Sequence, residues 1–86
     1  MTTEEITQKM IEITCEQLQI GRDQVKPAMS FVDDLGADSL DLAEIVMEIE
    51  EEFDLDIPEG EETGIKTIAD AVAYIEKKIS EKKGGE

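Results

Sequence analysis

The chain of 86 residues contains no histidine and no tryptophan, one cysteine, one tyrosine and two phenylalanines. Without His, and with Cys15 alone, ordinary zinc sites and the Ser/His and Cys/His nucleophile systems lack their parts. A single thiol also closes no internal disulfide, in keeping with a reducing compartment, and within an amphipathic segment Cys15 reads as a small packing residue. No apolar run approaches the roughly 20 residues that span a bilayer. The opening MTTEEITQK has neither the basic nor the apolar part of an export signal, so a cytoplasmic protein that does not insert into membranes is expected. With so few aromatics, one domain over 1–86 should bury a single modest aliphatic core, leaving no room for a deep enclosed active site.

Basic residues are missing from one long stretch. Between Asp33 and Glu62 lie fourteen of the 23 acidic residues and no Lys or Arg, so nearly all of the net charge of −15 belongs there. Such a field disfavours nucleic acid and anionic lipid and favours basic protein surfaces. The carboxylate runs Asp33-Asp34 and Glu50-Glu51-Glu52 read as solvated, with no means of raising a pKa, and no catalytic residue is assigned. Asp54-Leu55-Asp56 fails as a calcium loop, because counting from Asp54 puts Glu59 at the glycine position and Ile65 at the closing glutamate; no metal site is assigned.

What is present is helical spacing. Thr2 and Glu5 have the pattern of a capping box opening a first helix to about Leu18 or Gln19, with Ile6, Met10 and Ile13 inward, Ile11 and Cys15 off that stripe, and Gly21 as terminator. From Gly21 to Ala37 no helical period persists. That stretch reads as an ordered loop anchored by Val25, Met29, Phe31 and Leu35, with Gly36 permitting a tight approach to the turn that follows. A short turn within Glu59 to Gly64 is weakened by Gly60 and Gly64. Thr67 and Asp70 are spaced as a cap for a last helix with Ile68, Val72, Ile75 and Ile79 inward, and 81–86 should fray. The expected fold is all-α, a small bundle of three main helices plus one short helix before the last, with an ordered core over about 3–80.

The chain is organised around Phe31 to Phe53, where a glycine-containing loop turns into an acidic helix. Asp38 is placed to cap it, with Asp41 in the capping-box position, so Ser39 becomes the first helical residue with its hydroxyl facing solvent. At about 100° per residue, Leu42, Ile45, Val46, Ile49 and Phe53 share one face. Leu40, Ala43 and Met47 project from nearly the opposite side, ringed by Glu44, Glu48 and Glu51. A second apolar stripe that the core does not need, rimmed by carboxylates and starting beside a serine, is expected to dock basic partners.

The string from Phe31 through Pro58, with DLGADSL at its centre and EEEFDLDIP at its end, resembles acyl carrier proteins of the bacterial fatty-acid-synthesis type. The resemblance continues through Ile65, Thr67, Ile68 and Tyr74. It implies that Ser39 receives 4′-phosphopantetheine from coenzyme A through a separate Mg²⁺-dependent transferase, the hydroxyl attacking the β-phosphate to form a phosphodiester. The arm's thiol then carries acyl groups as thioesters. By the same resemblance Asp38, Leu40, Asp41, Ala43, Glu44, Met47 and Glu51 match positions that contact partner enzymes, and Glu48 joins them on charge and angle. Ile57 and Ile65 match positions near a cavity into which the acyl chain withdraws. The chain departs from the family pattern at Gly60 and Gly64, and at Leu42 and Ala43, where Thr and Val are more usual.

The function expected is therefore a monomeric acyl carrier and not an enzyme, modified by a phosphopantetheinyl transferase. Its further partners would be fatty-acid-synthesis enzymes and acyltransferases with basic surfaces. The alternatives are a carrier of a polyketide, lipid A or other specialised acyl pathway and, from a different class, an acidic adaptor or nucleic-acid-mimicking inhibitor with no prosthetic group.

Overall fold

The structure, a computed structural model, describes residues 2–84, with side chains through 81. Three α-helices carry it: α1 (Thr3–Leu18), α2 (Ser39–Phe53) and α3 (Ile68–Gly84). Two short 3-10 segments accompany them, η1 (Arg22–Gln24) in the first connection and η2 (Glu61–Gly64) in the second. The all-α expectation holds, with the short helix before the last realised as the single 3-10 turn η2. Sequence spacing gave no sign of η1, which is too short to show a period.

Local chemistry sets the helix starts as expected. Thr2 and Glu5 form a reciprocal capping box, the Thr2 hydroxyl accepting from the Glu5 amide at 3.1 Å and the Glu5 carboxylate accepting from the Thr2 amide at 2.8 Å. Thr67 accepts from the Asp70 amide at 3.0 Å while the Asp70 carboxylate takes the amides of Lys66 and Thr67, closing the start of α3.

α1 ends at Leu18 and α2 at Phe53, as the spacing predicts, but the residue that stops α1 and the reach of α3 differ from expectation. Gln19, at φ 56°, terminates α1 in the left-handed conformation, its amide donating to Cys15 O, so Gly21 is not the terminator. At its other end, α3 continues to Gly84, so the described part of the tail expected to fray, 81–84, is helical; Gly85 and Glu86 lie outside the described residues.

Each of α2 and α3 packs on α1 more than on the other. α1 must therefore bury more than one stripe, and Ile11, placed off the inward face by its spacing, is buried beside Ile6, Met10 and Ile13. Thr14 is fully buried too; its hydroxyl finds a partner without leaving the helix, donating to Met10 O at 2.7 Å. Ile45, Ile49 and Phe53 from α2 and Ile68, Ala71, Val72 and Ile75 from α3 complete one aliphatic core with Val25, Phe31, Ala37 and Ile57.

The long first connection is ordered because its backbone is bonded to the start of α3. Phe31 N–H donates to Lys66 O at 3.0 Å, Ile68 N–H to Met29 O at 3.2 Å and Ala69 N–H to Pro27 O at 2.8 Å, with an isolated antiparallel bridge between Ser30 and Thr67. Val25 and Phe31 sink into the core as anchors, with Met29 and Leu35 half-buried. Gly36 is required for a different reason from the close approach expected. Nothing lies within 4 Å of where a Cβ would sit, and the constraint is its φ of 73°.

Candidate functional site

Asp38 is the N-cap of α2, its Oδ1 accepting from the Asp41 amide at 2.8 Å while Asp41 Oδ2 accepts from the Asp38 amide at 3.2 Å. The reciprocal box fixes where the helix begins, and Ser39 is its first residue, exposed. Ser39 also lies at the edge of an apolar groove of about 440 Å³. One side of the groove is α2, through Ser39, Leu42, Ala43, Val46, Met47 and Ile49; the facing wall is Glu62, Thr63 and Ile65, at and just beyond η2, with Phe31 contributing from the loop. At 1.5 Å rise per residue, Ser39 to Ile49 extends along about 15 Å of helix. The groove exists because α2 and α3 rest on α1 and barely touch, so that only the thin η2 segment faces α2 there.

This geometry modifies the reading of two opposed stripes. Leu42 and Val46 are half-buried and face the groove, and Ala43 and Met47 line it as well. The angle between Val46 and Ala43 is only about 60° around the helix, and Ser39 falls between them. Apolar surface is thus continuous from the core, through the groove, to Met47, with the serine on the seam. Leu40 and Met47, at 66% and 57% exposed, remain outward-facing as expected. Val32, exposed to 52% on the preceding loop, borders a second opening that shares Phe31, Leu42, Glu62, Thr63 and Ile65 with the first.

The carboxylates divide by what holds them. Glu48 and Glu51 are exposed. Glu44 is also exposed but accepts a hydrogen bond from Gln17 Nε2 of α1, and Glu52 pairs with Lys9 Nζ at 2.6 Å, so α1 supplies the base that α2 lacks. Glu50 shares the groove side of the helix but turns to accept from Ile57 N–H at 2.9 Å.

Ile57 is thereby held in the core and does not line the groove, whereas Ile65 does. Among the described residues no group of three or more carboxylates or thiols converges as a metal site. Sequence reasoning missed Phe31, Glu62 and Thr63 as groove residues. Phe31 was legible as an anchor, but the two η2 residues carry no signal apart from lying between Gly60 and Gly64.

Behind the facing wall, two ionisable groups that join η2 to α3 are displaced from their ordinary values. Tyr74 of α3 donates a hydrogen bond to Glu61 of η2, and Lys78 Nζ lies 3.7 Å from the same carboxylate oxygen. Burial first, and then the Glu61 carboxylate, push the Tyr74 phenol well above the usual range for tyrosine. The hydrogen bond from Tyr74 holds Glu61 below the usual carboxylate range.

The exposed Ser39 hydroxyl on a capped helix start thus opens onto an apolar groove, with the acidic face of α2 beside it. Residues 8–75 match the family described as the phosphopantetheine attachment site. The chain is 53% identical over 70 residues to an acyl carrier protein of Bdellovibrio bacteriovorus, covering 81% of this chain and 90% of that one. Its fold matches the acyl carrier protein of Enterococcus faecalis, described for its high thermal stability, with a TM-score of 0.75 at 38% identity over 91% of this chain and 99% of the other. This chain belongs to the phosphopantetheine attachment family and, within it, to the acyl carrier proteins. It is a carrier and not a catalyst, and the family is one that bears phosphopantetheine covalently. Among the described residues no helix is long and apolar enough to cross a membrane.

Proposed function

We propose that Ser39 is the attachment point for 4′-phosphopantetheine and that the chain carries acyl groups as thioesters between enzymes of fatty-acid synthesis. The observation that carries this reading is the position of Ser39, exposed at the start of α2 and at the edge of the apolar groove. The arm supplies a terminal thiol that holds the acyl group. The protein's own residues do the rest: Asp38 and Asp41 fix the helix start that presents the hydroxyl, and Leu42, Val46, Ile49, Phe31 and Ile65 offer an apolar surface to a chain tethered at Ser39. A groove of about 440 Å³ falls within the span of small-molecule sites, about 300–1,000 Å³. In this reading Ile65 touches the withdrawn chain and Ile57 supports the core behind it.

Docking falls to the exposed face of α2. Leu40 and Met47 offer apolar anchors, and Asp38, Asp41, Glu44, Glu48 and Glu51 surround them and Ala43. The modifying transferase, synthases and acyltransferases engage this face through basic patches, with rim charges setting the encounter rate more than the final affinity, which suits a shuttle. A monomer acting in the cytoplasm completes the reading.

Incubation with coenzyme A, Mg²⁺ and a broad-specificity phosphopantetheinyl transferase should add one arm by intact mass to the wild type and none to Ser39→Ala. An unmodified wild type, or an adduct persisting in the variant, would falsify the assignment.

A further inference from the structure

The segment walling the groove opposite α2 is held by very little. η2 buries none of its residues and is bracketed by Gly60, at φ 100°, and Gly64. Its backbone hydrogen bonds stay local, from Glu61 N–H to Pro58 O, Thr63 N–H to Gly60 O and Ile65 N–H to Glu62 O. The side chains of Glu62 and Thr63 bond back to Gly60. Ile65 packs on the edge of the core just beyond.

Among the described residues, the side-chain polar links from η2 to the helices run through Glu61 alone. The Tyr74 hydroxyl donates to Glu61 Oε1, and Lys78 Nζ sits 3.7 Å from that oxygen and 5.5 Å from the centroid of the Tyr74 ring. A phenol held protonated by burial and by the carboxylate it faces remains a donor throughout the neutral range.

Glu62, Thr63 and Ile65 border both openings of the groove, so any movement of η2 changes both at once. We infer that Tyr74 and Glu61, with Lys78 as their counter-ion, are positioning residues that set the length of acyl chain the groove accommodates. The inference rests on the reading of the groove as the resting place of a chain tethered at Ser39. With the link intact, η2 is drawn onto α3 and the wall has a fixed place. With it cut, η2 is free to turn about its flanking glycines, and the groove loses its defined width.

The test loads Ser39 with arms carrying straight acyl chains from acetyl to palmitoyl and measures thioester cleavage by hydroxylamine in the wild type, Tyr74→Phe, Glu61→Ala and the double variant. The wild type should show protection that grows with chain length and then levels off. In each single variant the longer thioesters should be cleaved roughly two- to tenfold faster, the range one lost hydrogen bond produces. Acetyl should be unaffected and the length of best protection should move. The double variant should be no worse than Glu61→Ala, which by itself removes the acceptor shared by Tyr74 and Lys78. Glu59→Ala, at an exposed neighbour outside the link, should match the wild type.

Equal acceleration of acetyl and long chains would mean general loosening and overturn the inference, as would variant profiles identical to a length-dependent wild type. A flat wild-type profile would remove the groove reading and this inference with it. Keeping Glu61→Ala beside Tyr74→Phe leaves the test decisive even where removing the phenol oxygen harms folding.

Discussion

The Glu50 carboxylate accepts the Ile57 amide proton at 2.9 Å, joining the last turn of α2 to the extended segment that follows it. This bond turns an acid away from the groove face and fixes Ile57 in the core, and the amide is partly sheltered from water. Glu50→Ala should therefore cost about 1–2 kcal/mol in urea unfolding. Glu50→Gln, which retains an acceptor, should recover most of it. Equal stability of Glu50→Ala and the wild type would show that the amide is satisfied by water instead.

Asp38 both starts the helix that presents Ser39 and contributes to the acidic rim, and two substitutions separate these duties. Asp38→Ala removes the cap and should cost about 1 kcal/mol while slowing attachment of the arm. Asp38→Ser keeps a capping oxygen but not the charge. It should keep most of the stability and lose encounter rate with the transferase, a loss that added salt reduces in size. Identical behaviour of the two variants would mean that capping and charge are not separable here.

Charge reversal at Glu48 and Glu51 tests the docking face more cleanly than at Glu44, whose carboxylate is engaged by Gln17. Glu48→Lys with Glu51→Lys should slow association with a basic synthase at low ionic strength by about tenfold or more, with the helical circular-dichroism signal retained. Unchanged association would move docking to another surface.

The crowd of acids should also make the fold salt-stabilised. A melting temperature rising with NaCl is expected, because screening relieves repulsion along α2 more than it weakens the pair formed by Lys9 and Glu52. Lys9→Gln should lower the melting temperature most at low salt. A melting temperature indifferent to NaCl would contradict the charge argument.

Two titrations have opposite signs. The Asp70 carboxyl is held below its ordinary value of 3.8 chiefly by the amides of Thr67 and Lys66. Its contribution is present above that value and lost as pH falls through the lower folded value. Wild type and Asp70→Asn should thus differ in stability at neutral pH and converge in acid. Tyr74, raised above 10.0 by burial and then by Glu61, contributes below its unfolded value and loses that contribution as pH rises through the folded one. As the chain's single tyrosine, its phenolate absorbance should appear at higher pH in the folded protein than in urea, and in Glu61→Gln the onset should move part of the way back.

The sequence by itself determined the starts of all three helices, because capping boxes lie within three residues of one another and each reports only on its own turn. It likewise determined the exposure of Ser39, Leu40 and Met47, since angle around a helix follows from spacing alone.

What it left open depends on contacts between segments far apart in the chain. That α1 lies against both other helices buried Ile11 and Thr14 as well as the expected stripe. That α2 and α3 stand apart made a groove of the side carrying Leu42 and Val46, and joined the two stripes through it. The pairing of Tyr74 with Glu61, thirteen residues apart, and of Lys9 with Glu52 across two helices is set by packing, and no local period encodes it. Periodicity fixes which way a side chain points from its own helix, but only the assembled bundle decides what stands opposite.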